Sequence, residues 1–436
     1  MKQIHLAAFM IAGNCAHSHA LWRHPLGRID FLKPEIYRAI GETLERGKFD
    51  LLFFADRLAI SSSFGQSSDV GLRYGDQDAT RMDPIPVLSL ISAHTKSIGL
   101  GATRSTTYCQ PYHIARTFAT LDHLSRGRAA WNVVTSVNDS EAANFGLTSH
   151  LGHDERYDKA EEFLDVCFRL WDSWSAEALV LDKDTGHFAD PTAIHAIDHN
   201  GDWFRVKGPL NIPRSPQGRP VIIQAGSSGR GRAFAARWAE VVFTVQPDRA
   251  RLKSFYVDMK SRVKAAGRDP SQCLILPAVM PLIGTTEAEA IDKQRLHNEL
   301  VHPLVGLSTL SSHANYDFAK HSLDEPLGEI STTGIQGLVE SVLRISESQN
   351  LTLREIGKIY GQSVLTPQLV GTAKQVTDQM EAMVRDGCCD GFAISPAYLP
   401  GSFVEFVDHV VPELQGRGLF RQEFAGTTLR EHLHLN

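Results

Sequence analysis

The sequence predicts an α/β fold in which eight parallel strands, each followed by a helix, close into a (β/α)8 TIM barrel. Eight short apolar runs alternate with segments of helical period along the 436 residues, and this alternation is typical of a parallel sheet. Most of the runs are apolar throughout, as expected of strands whose two faces are both covered. The count of eight favours a closed barrel, with an open doubly wound sheet as the alternative.

The predicted strands and helices follow one another in a regular order. The strands are Ile4–Met10, Asp50–Ala55, Ile98–Arg104, Ala129–Thr135, Val221–Ala225, Val241–Val245, Leu274–Ile283 and Gly391–Ser395. The helices are Pro34–Lys48, Asp83–Ser97, Tyr112–Leu124, Asp154–Trp174, Arg232–Ala239, Leu252–Ala266 and Ala373–Arg385. The first helix begins with a proline, which fits the first helical turn because the peptide N–H there has no partner within the helix.

Two stretches, 176–220 and 296–367, interrupt this order. The first carries turn signals, and the second holds helical segments without a convincing barrel strand. Structureless loops of that length are rare in compact domains, so we expect two insertions with structure of their own. On a single barrel domain spanning residues 1–436, they would lie on the catalytic face and shape the pocket.

Composition excludes several classes of protein. A hydrophobic fraction of 42% and a charged fraction of 22% are typical of a soluble globular protein, and a net charge of −6 argues against nucleic-acid binding. We expect no signal peptide and no membrane span, since no window approaches 18 uninterrupted apolar residues. The scattered cysteines fit a reduced, cytoplasmic setting. Adjacent Cys388 and Cys389 are interpreted as buried thiols rather than a redox pair.

Polar residues at the ends of the second, third and fourth strands are candidate ligand contacts, because the chemistry of a barrel gathers there. Asp56 closes the second strand and serves either as a turn cap or as a polar contact to a ligand. Thr103 opens a run of hydroxyl side chains that can bond a heterocycle or satisfy loop backbone. Asn132 is a polar interruption in the apolar fourth strand.

A histidine and a tyrosine mark the start of a strong helix. His153 and Tyr157 are four residues apart, so both project from one face of that helix. Helix N-termini carry unpaired N–H groups that favour an anion. The pair is therefore either an anion contact at the barrel mouth or a stacked pair in the core.

The fifth strand runs into a Gly-Ser-Ser-Gly turn that is a candidate phosphate site. Its glycines let the backbone approach a ligand closely, and Ser227 and Ser228 add hydroxyl donors. Arg230 and Arg232 lie near the first turn of the following helix, where the helix dipole disfavours cations. A bound phosphate would remove that conflict, whereas a solvated loop with outward-pointing arginines is the alternative.

His17 and His19, after the first strand, suggest a rival function. A His-x-His pair at this point of a barrel can hold a divalent metal for hydrolysis. That function needs further ligands at later strand ends, typically another histidine and an aspartate, and the fifth to eighth strands offer none in a matching position. We therefore expect no metal site.

Several of these segments together resemble the bacterial-luciferase-like FMN-dependent monooxygenases, in particular the nitrilotriacetate and dibenzothiophene-sulfone monooxygenase branch. They span nearly the whole chain in family order and read GKFDLLFFAD, DHLSRGRAAWNVVTS, NFGLTSHLGHDERYDKAEEFL, RSPQGRPVIIQAGSSGRGRAFAARWAE and SPAYLPGSFVEFVDHVVPELQGRG. The resemblance implies a two-component monooxygenase on a barrel of the luciferase type. Its FMN would arrive reduced from a separate NAD(P)H-dependent flavin reductase, and a homo-oligomer is expected.

The resemblance also implies roles for single residues. The positions that match the family's FMN contacts are Asp56, Thr103, His153, Tyr157 and Ser228, with Asn132 as a further contact to the ring. His19 matches a histidine near the family's active site, and His313, in GLSTLSSH, matches the sulfone monooxygenases. We expect these two to supply acid–base help, with His17 as a third candidate, because histidines with a pKa near neutrality suit that task.

The substrate is predicted only as a class. GLSTLSSH and the early His-x-His lean toward an organosulfur sulfone or an aromatic heterocycle, although Phe-Phe-Ala-Asp departs from the sulfone enzymes, where a proline precedes the aspartate. An apolar mouth lined by Phe9, Phe54 and Phe243 would exclude water from the reaction. The competing functions are a metal-dependent hydrolase built on His17 and His19, and a non-catalytic flavin-binding protein.

Overall fold

Eight parallel strands form a closed barrel in the computed structural model, which describes residues 3–226, 228–328, 330, 332 and 334–435. The strands of the chain are β1 (His5–Ile11), β2 (Leu51–Ala55), β3 (Gly99–Ser105), β4 (Ala129–Val134), β5 (Leu179–Asp182), β6 (His187–Ala189), β7 (His199–Asn200), β8 (Arg205–Val206), β9 (Val221–Gln224), β10 (Val241–Thr244), β11 (Leu274–Gly284), β12 (Gln368–Thr372) and β13 (Gly391–Ile394).

The barrel closes through an uninterrupted ring of parallel pairings. Its order is β1, β2, β3, β4, β9, β10, β11 and β13, and β13 pairs back onto β1. The closed (β/α)8 prediction is therefore confirmed, and each predicted strand matches an observed one to within one residue at either end. The sequence did not predict β12, which pairs with the second half of β11 just after the second insertion.

The helices lie between successive barrel strands, in the insertions and after β13. They are α1 (Pro34–Arg46), α2 (Asp69–Tyr74), α3 (Pro84–Ser92), α4 (Pro111–Ser125), α5 (Asp139–Asn144), α6 (His153–Trp171), α7 (Gly229–Trp238), α8 (Arg249–Ala265), α9 (Glu287–Glu299), α10 (Pro303–Ala314), α11 (Gln336–Gln349), α12 (Leu353–Ser363), α13 (Ala373–Arg385), α14 (Gly401–Glu405), α15 (Val411–Gly416) and α16 (Leu429–His432). A π-helical turn, Phe406–Val410, joins α14 to α15.

The largest difference between a predicted and an observed helix end is at α3. Helix α3 ends at Ser92, whereas the sequence predicted Ser97. The backbone N–H groups of Lys96 and Ile98 donate to the carboxylate of Glu45 on α1 rather than to helical carbonyls. A long-range side-chain acceptor thus ends the helix early.

Side chains alternate between the barrel interior and the surrounding helices, as the pleat of a strand requires. On β2, Leu51 and Phe53 belong to the apolar cluster inside the barrel, whereas Leu52 and Phe54 pack against the helices outside. The barrel interior also contains Leu429, Leu433 and Leu435 from the C-terminal segment. That segment therefore fills the end of the barrel opposite the strand carboxyl ends.

A buried charged group fixes this C-terminal segment to the barrel. Arg421 donates to the carboxylate of Asp50, which also accepts from the backbone N–H of Leu6 at 2.8 Å and lies 3.3 Å from Nδ1 of His5. Arg421 also donates to the carbonyl of His432 at 2.9 Å. Because the carboxylate and guanidinium are paired and hydrogen-bonded, their burial is tolerated.

The two interruptions of the barrel order contain folded structure. Residues 176–220 hold two antiparallel hairpins, β5–β6 and β7–β8. Residues 296–367 hold α10, α11 and α12, and α10 packs closely on α12. A Cβ on Gly306 would lie 1.8 Å from the carbonyl oxygen of Gly357, so the two helices meet backbone to backbone.

The cysteines and the helices agree with two further predictions from the sequence. Cys388 and Cys389 are both buried beside β13 and are not paired in a disulfide, as the preferred interpretation held. None of the helices that the structure describes is both long and apolar enough to cross a bilayer.

Candidate active site

Two adjoining cavities open at the carboxyl ends of the barrel strands. The larger has a volume of about 460 Å³ and the smaller about 220 Å³. They share four wall residues: Asp56 and Arg57 after β2, Ala225 after β9, and Ile335 before α11. A single elongated ligand could therefore extend from one cavity into the other.

The smaller cavity brings together the predicted anion contacts. His153 and Tyr157, on the first turns of α6, line it with Ser228, which caps α7. The hydroxyl of Ser228 accepts from the N–H of Gly231 at 3.0 Å and lies 3.2 Å from Nε2 of His153. Ser227, the other predicted serine, lies outside the described residues.

Glycines on both sides of Ser228 keep this cavity open. A Cβ on Gly231 would lie 2.7 Å from the hydroxyl of Tyr157 and 3.1 Å from Oγ of Ser228. A Cβ on Gly226 would lie 3.0 Å from Cα of Gly231. A Cβ on Gly229 would meet nothing within 4 Å. Close packing therefore requires glycine at positions 226 and 231 but not at 229.

Arg156 supplies a positive charge that the sequence analysis missed. It lies between His153 and Tyr157 in the chain, is 4% exposed, and lines the smaller cavity. Its Nη1 donates to the carbonyl of Leu151 at 2.7 Å, whereas its buried Nε has no hydrogen-bond partner among the described residues. Burial lowers the pKa of Arg156, and an anion in this cavity would compensate the buried charge.

The predicted contacts on β3 and β4, Thr103 and Asn132, form a short chain of hydrogen bonds that ends on β2. Asn132 donates from Nδ2 to Oγ1 of Thr103 at 2.9 Å, and Thr103 donates to the carbonyl of Phe54 at 3.1 Å. Asn132 lines the larger cavity, and its buried Oδ1 has no partner among the described residues. Thr103 is not among the lining residues; it orients Asn132.

Asp56 stands where the two cavities meet. Its carboxylate lies 3.2 Å from Nη1 of Arg104 and accepts from the N–H of Arg57 at 2.9 Å. Desolvation by burial raises the pKa of Asp56 to about 6, despite the nearby guanidinium groups. Asp56 can therefore exchange a proton close to neutral pH.

The larger cavity has an apolar floor provided by alternate residues of the strands. Phe9, Phe53 and Phe243 line it, and the rings of Phe53 and Phe243 are 4.9 Å apart. The expectation that Phe54 lines the mouth is wrong, because Phe54 lies on the opposite face of β2 and packs against Tyr37 of α1. A shift of one residue exchanges the two faces of a strand.

His17 and His313 line the larger cavity, whereas His19 lies behind them. Nδ1 of His17 is 3.0 Å from Oγ1 of Thr366, and its ring stacks on Phe9 at 3.8 Å. Nδ1 of His313 is 2.6 Å from the hydroxyl of Tyr360. His19 is bonded through both ring nitrogens, as described below, and is not among the lining residues.

The expectation that these histidines titrate near neutrality is wrong. Burial lowers the pKa of His17 to about 3 and that of His19 to about 4. Burial likewise lowers the pKa of His313 well below its usual range, and the nearby Arg57 adds to the effect. Desolvation disfavours the charged imidazolium, so all three rings are neutral at physiological pH.

The geometry also counts against a metal site at the early histidines. Nδ1 of His19 donates to the carbonyl of Gly361 at 2.9 Å, and Nε2 is 2.6 Å from Oγ1 of Thr309. Both ring nitrogens are therefore already engaged with the protein. Within the described part of the chain, no group of three or more His, Cys, Asp or Glu residues is arranged to hold a metal ion.

A buried charge network beside the larger cavity was also missed by the sequence analysis. Arg57 and Arg81 both pair with Asp78, at 2.9 and 3.0 Å, and both line the cavity. Asp78 also accepts from Ser312 of α10 at 2.8 Å. The network joins the loop after β2 to α10, and thus to His313.

Comparison with known proteins gives this barrel its family. A sequence model of the luciferase-like monooxygenases matches residues 33–389. The chain belongs to that family. Its barrel fold, the two cavities at its strand ends and the sequence segments that resemble the family all agree with this assignment.

The chain has relatives that match it over its full length. It is 51% identical to a dibenzothiophene-sulfone monooxygenase of Rhodococcus erythropolis (strain XP), and the match covers 100% of this chain and 97% of that protein. It is 42% identical to nitrilotriacetate monooxygenase component A of Aminobacter aminovorans, with the same coverage. The predicted branch of the family is confirmed, and the chain is an oxidoreductase of the monooxygenase type.

Solved structures agree with this result. The crystal structure of a long-chain alkane monooxygenase matches with a TM-score of 0.90 at 36% identity, over 100% of this chain and 96% of that chain. A riboflavin lyase with modified FMN and substrate riboflavin matches with a TM-score of 0.90 at 32% identity, over 99% and 96%. The family and this FMN-containing neighbour together support a flavin as the cofactor of the site.

Several residues that line the two cavities of this chain fit a flavin nucleotide. The unpaired Oδ1 of Asn132 can accept from a ring N–H, and the unpaired Nε of Arg156 can donate to a phosphate oxygen. The N-terminus of α7, capped by Ser228, favours an anion because its peptide N–H groups point outward. Neither the site nor the relatives named above support a metal-dependent hydrolase.

Proposed function

We propose that this monooxygenase is the oxygenase component of a two-component system that uses reduced FMN and O2 to oxygenate an organosulfur sulfone or an aromatic heterocycle. A separate NAD(P)H-dependent flavin reductase would supply the reduced FMN. The observation that carries the proposal is the pair of joined cavities, one with anion donors and one with an apolar floor. We further propose that the chain works as a single barrel domain within a homo-oligomer.

In this proposal the smaller cavity holds the FMN phosphate. Ser228 and Tyr157 would donate hydroxyl hydrogen bonds, and Arg156 would supply a charge-assisted one. His153 would add an N–H from the rim, where its side chain is 42% exposed. Such a set matches a phosphate better than an apolar tail, because each group is a donor.

The flavin ring would then lie at the junction and in the larger cavity. Asn132, held by Thr103, would bond the polar edge of the ring, and Asp56 would lie beside that edge. When bound, the reduced flavin supplies two electrons to O2, so that one oxygen atom enters the substrate and the other leaves as water. The phenylalanine floor, with Ile335 and Leu338 above it, would exclude bulk water from the reaction.

The substrate class is supported by relatives and by the cavity. The Rhodococcus relative is named for a sulfone. The apolar floor suits the body of such a molecule, and His17, His313 and Arg57, which line the same cavity, suit its oxygens. Names such as "component A" for the Aminobacter relative support a partner reductase.

The decisive experiment supplies the purified chain with FMN, NADH, a flavin reductase and dibenzothiophene sulfone under 18O2. We expect a product that carries one 18O atom and that disappears when FMN is omitted. Turnover that continues without flavin, or a product without label, would contradict the proposal.

A pair of helix-cap variants tests where the phosphate binds. Ser228→Ala should weaken FMN binding about tenfold, because it removes a hydroxyl donor and a cap from α7. Thr286→Ala removes the corresponding cap of α9, where Thr286 accepts from the N–H of Glu289, and should leave FMN binding unchanged. Equal losses in the two variants would show a general effect of cap removal instead.

A further inference from the structure

The three candidate histidines are all held by one segment of the second insertion. Helix α12 and the three residues after it (353–366) provide Tyr360 to His313, the carbonyl of Gly361 to His19, and Thr366 to His17. These contacts join segments more than 40 positions apart in the chain, and two of them more than 300. The insertion therefore determines how each ring is oriented.

Within the described part of the chain, the hydroxyl of Tyr360 has one hydrogen-bond acceptor for its proton. Tyr360 is fully buried, and its hydrogen-bond partner among the described residues is Nδ1 of His313, at 2.6 Å. A buried O–H left without an acceptor pays the full loss of its hydration. Tyr360 therefore donates to His313, and Nδ1 is the nitrogen that accepts.

This bond fixes the position of the proton on the imidazole. His313 is neutral, since its pKa lies well below its usual range because of burial. A neutral imidazole carries one N–H, and when Nδ1 accepts, the hydrogen is on Nε2. Nε2 has no hydrogen-bond partner among the residues that the structure describes, and His313 lines the larger cavity.

His17 follows the same logic and His19 the opposite one. Thr366 is 2% exposed, and its hydroxyl has no partner other than Nδ1 of His17 among the described residues. The hydroxyl therefore donates to that nitrogen, and His17 also has its hydrogen on Nε2. The carbonyl of Gly361 can only accept, so Nδ1 of His19 must carry the hydrogen there. The two cavity-lining histidines thus share one tautomer, and the histidine behind them has the other.

We propose that Tyr360 is a positioning residue that holds His313 as the Nε2–H tautomer, so that His313 donates a hydrogen bond to an oxygen of the substrate. The role toward substrate rests on the proposed function, whereas the tautomer does not. A substrate for this site accordingly carries a hydrogen-bond acceptor, such as a sulfone oxygen, next to its apolar body. His313 does not serve as a proton acceptor.

Nitrogen NMR of the full chain, labelled with 15N only in histidine, tests the tautomer without any ligand. The signals of His313 are identified by their loss in His313→Gln. At neutral pH we expect an unprotonated Nδ1 and a protonated Nε2 in the native protein. We expect mixed tautomers in Tyr360→Phe, which removes the O–H and keeps the ring.

Tyr316→Phe is the matched control for Tyr360→Phe. Tyr316 lies in the same insertion, and its hydroxyl is 2.8 Å from Nε2 of His321. The control should leave the signals of His313 unchanged. A native His313 protonated at Nδ1, or an unchanged tautomer in a folded Tyr360→Phe, would overturn the proposal; a denaturation curve of each variant establishes that it is folded.

Two substitutions of His313 test the donor in turnover, with dibenzothiophene sulfone as probe. The amide of glutamine in His313→Gln reaches the position of Nε2, whereas that of asparagine in His313→Asn reaches only that of Nδ1. His313→Gln should retain about tenfold higher kcat/KM than His313→Asn, the scale of one hydrogen bond. The reverse order would overturn the donor role. Failure of the native protein to oxidise this probe would count against the proposed function alone, since the nitrogen spectra still decide the tautomer.

Discussion

The two ends of the active site are built from different parts of the chain. The smaller cavity takes the anion donors described above from the starts of α6 and α7, the helices that come after β4 and β9. The larger cavity has a barrel floor, but the two histidines that line it, His17 and His313, are held by Thr366 and Tyr360 of the second insertion. The end proposed for the cofactor (the cofactor end) therefore takes its anion donors from the barrel framework, whereas the histidines of the end proposed for the substrate (the substrate end) are held by an insertion added to it. This division allows one framework to serve different substrates.

Substitution of the two phenylalanines on β2 tests what the barrel strands contribute to stability and to the cavity floor. It has the largest expected effect. Phe54→Ala should lower the free energy of unfolding by about 3–5 kcal/mol, because it leaves a hole in the outer core. Phe53→Ala should cost less stability, because its ring already borders a cavity, but should lower the yield of product per NADH consumed by admitting water. Urea denaturation and product assays measure both quantities.

The opposite pattern of results in the two phenylalanine variants would contradict the assignment of Phe53 to the barrel interior and of Phe54 to the outer core. A Phe54→Ala variant with lost coupling and full stability would mean that the outer face of β2 borders the reaction. The side-chain alternation of β2 would then be shifted by one residue from the one described above.

Two glycines at the start of α7 test the cofactor end. Gly231→Ala should weaken FMN binding about tenfold to hundredfold, because the added methyl group crowds Tyr157 and Ser228 at a cost of about 1–3 kcal/mol. Gly229→Ala is the control, since its methyl group would meet nothing within 4 Å. Titration of flavin fluorescence measures the affinity. Equal affinities in the two variants would place the phosphate outside the smaller cavity.

The buried histidines of the substrate end give the smallest predicted effect, a dependence of stability on pH. The pKa of His19 is about 4 in the folded protein and about 6.5 when unfolded. The unfolded chain therefore binds its proton first as the pH falls, and stability is lost between pH 6.5 and pH 4. From pH 7 to pH 5 this histidine should cost about 2 kcal/mol.

The pH effect is measured as the difference between variants. In urea denaturation at pH 7 and pH 5, His19→Gln should lose less stability on acidification than the native chain does. His94→Gln, at an exposed position, should lose as much as the native chain. A His19→Gln variant with the native loss would show that the His19 ring is already solvated.

The sequence predicted the barrel, and the grouping of the candidate anion contacts, because both depend on local order. Strand runs and helix starts determine where His153, Tyr157 and Ser228 lie, and the structure brings the three together. Arg156 could have been included, since it lies on the same first helical turns as the predicted pair. Its burial was not visible, because arginine on an amphipathic helix is usually solvated.

The substrate end was predicted less well for two physical reasons. Whether Phe53 or Phe54 faces the barrel interior depends on which residues of β2 point inward. An unbroken apolar run does not show this, because inward and outward side chains are equally apolar. The partners of the histidines come from distant segments, so neither their tautomers nor their lowered pKa values follow from local sequence. The position of His19 away from the cavity wall likewise depends on its hydrogen bonds to Gly361 and Thr309.

The C-terminal segment that fills the barrel has a consequence for biosynthesis. Leu429, Leu433 and Leu435 complete the apolar interior between strands that are synthesised much earlier. While these residues are still inside the ribosomal tunnel, the nascent barrel exposes an open apolar base to the surrounding solution. A chaperone that binds apolar surface should therefore stay on the growing chain until these three leucines emerge.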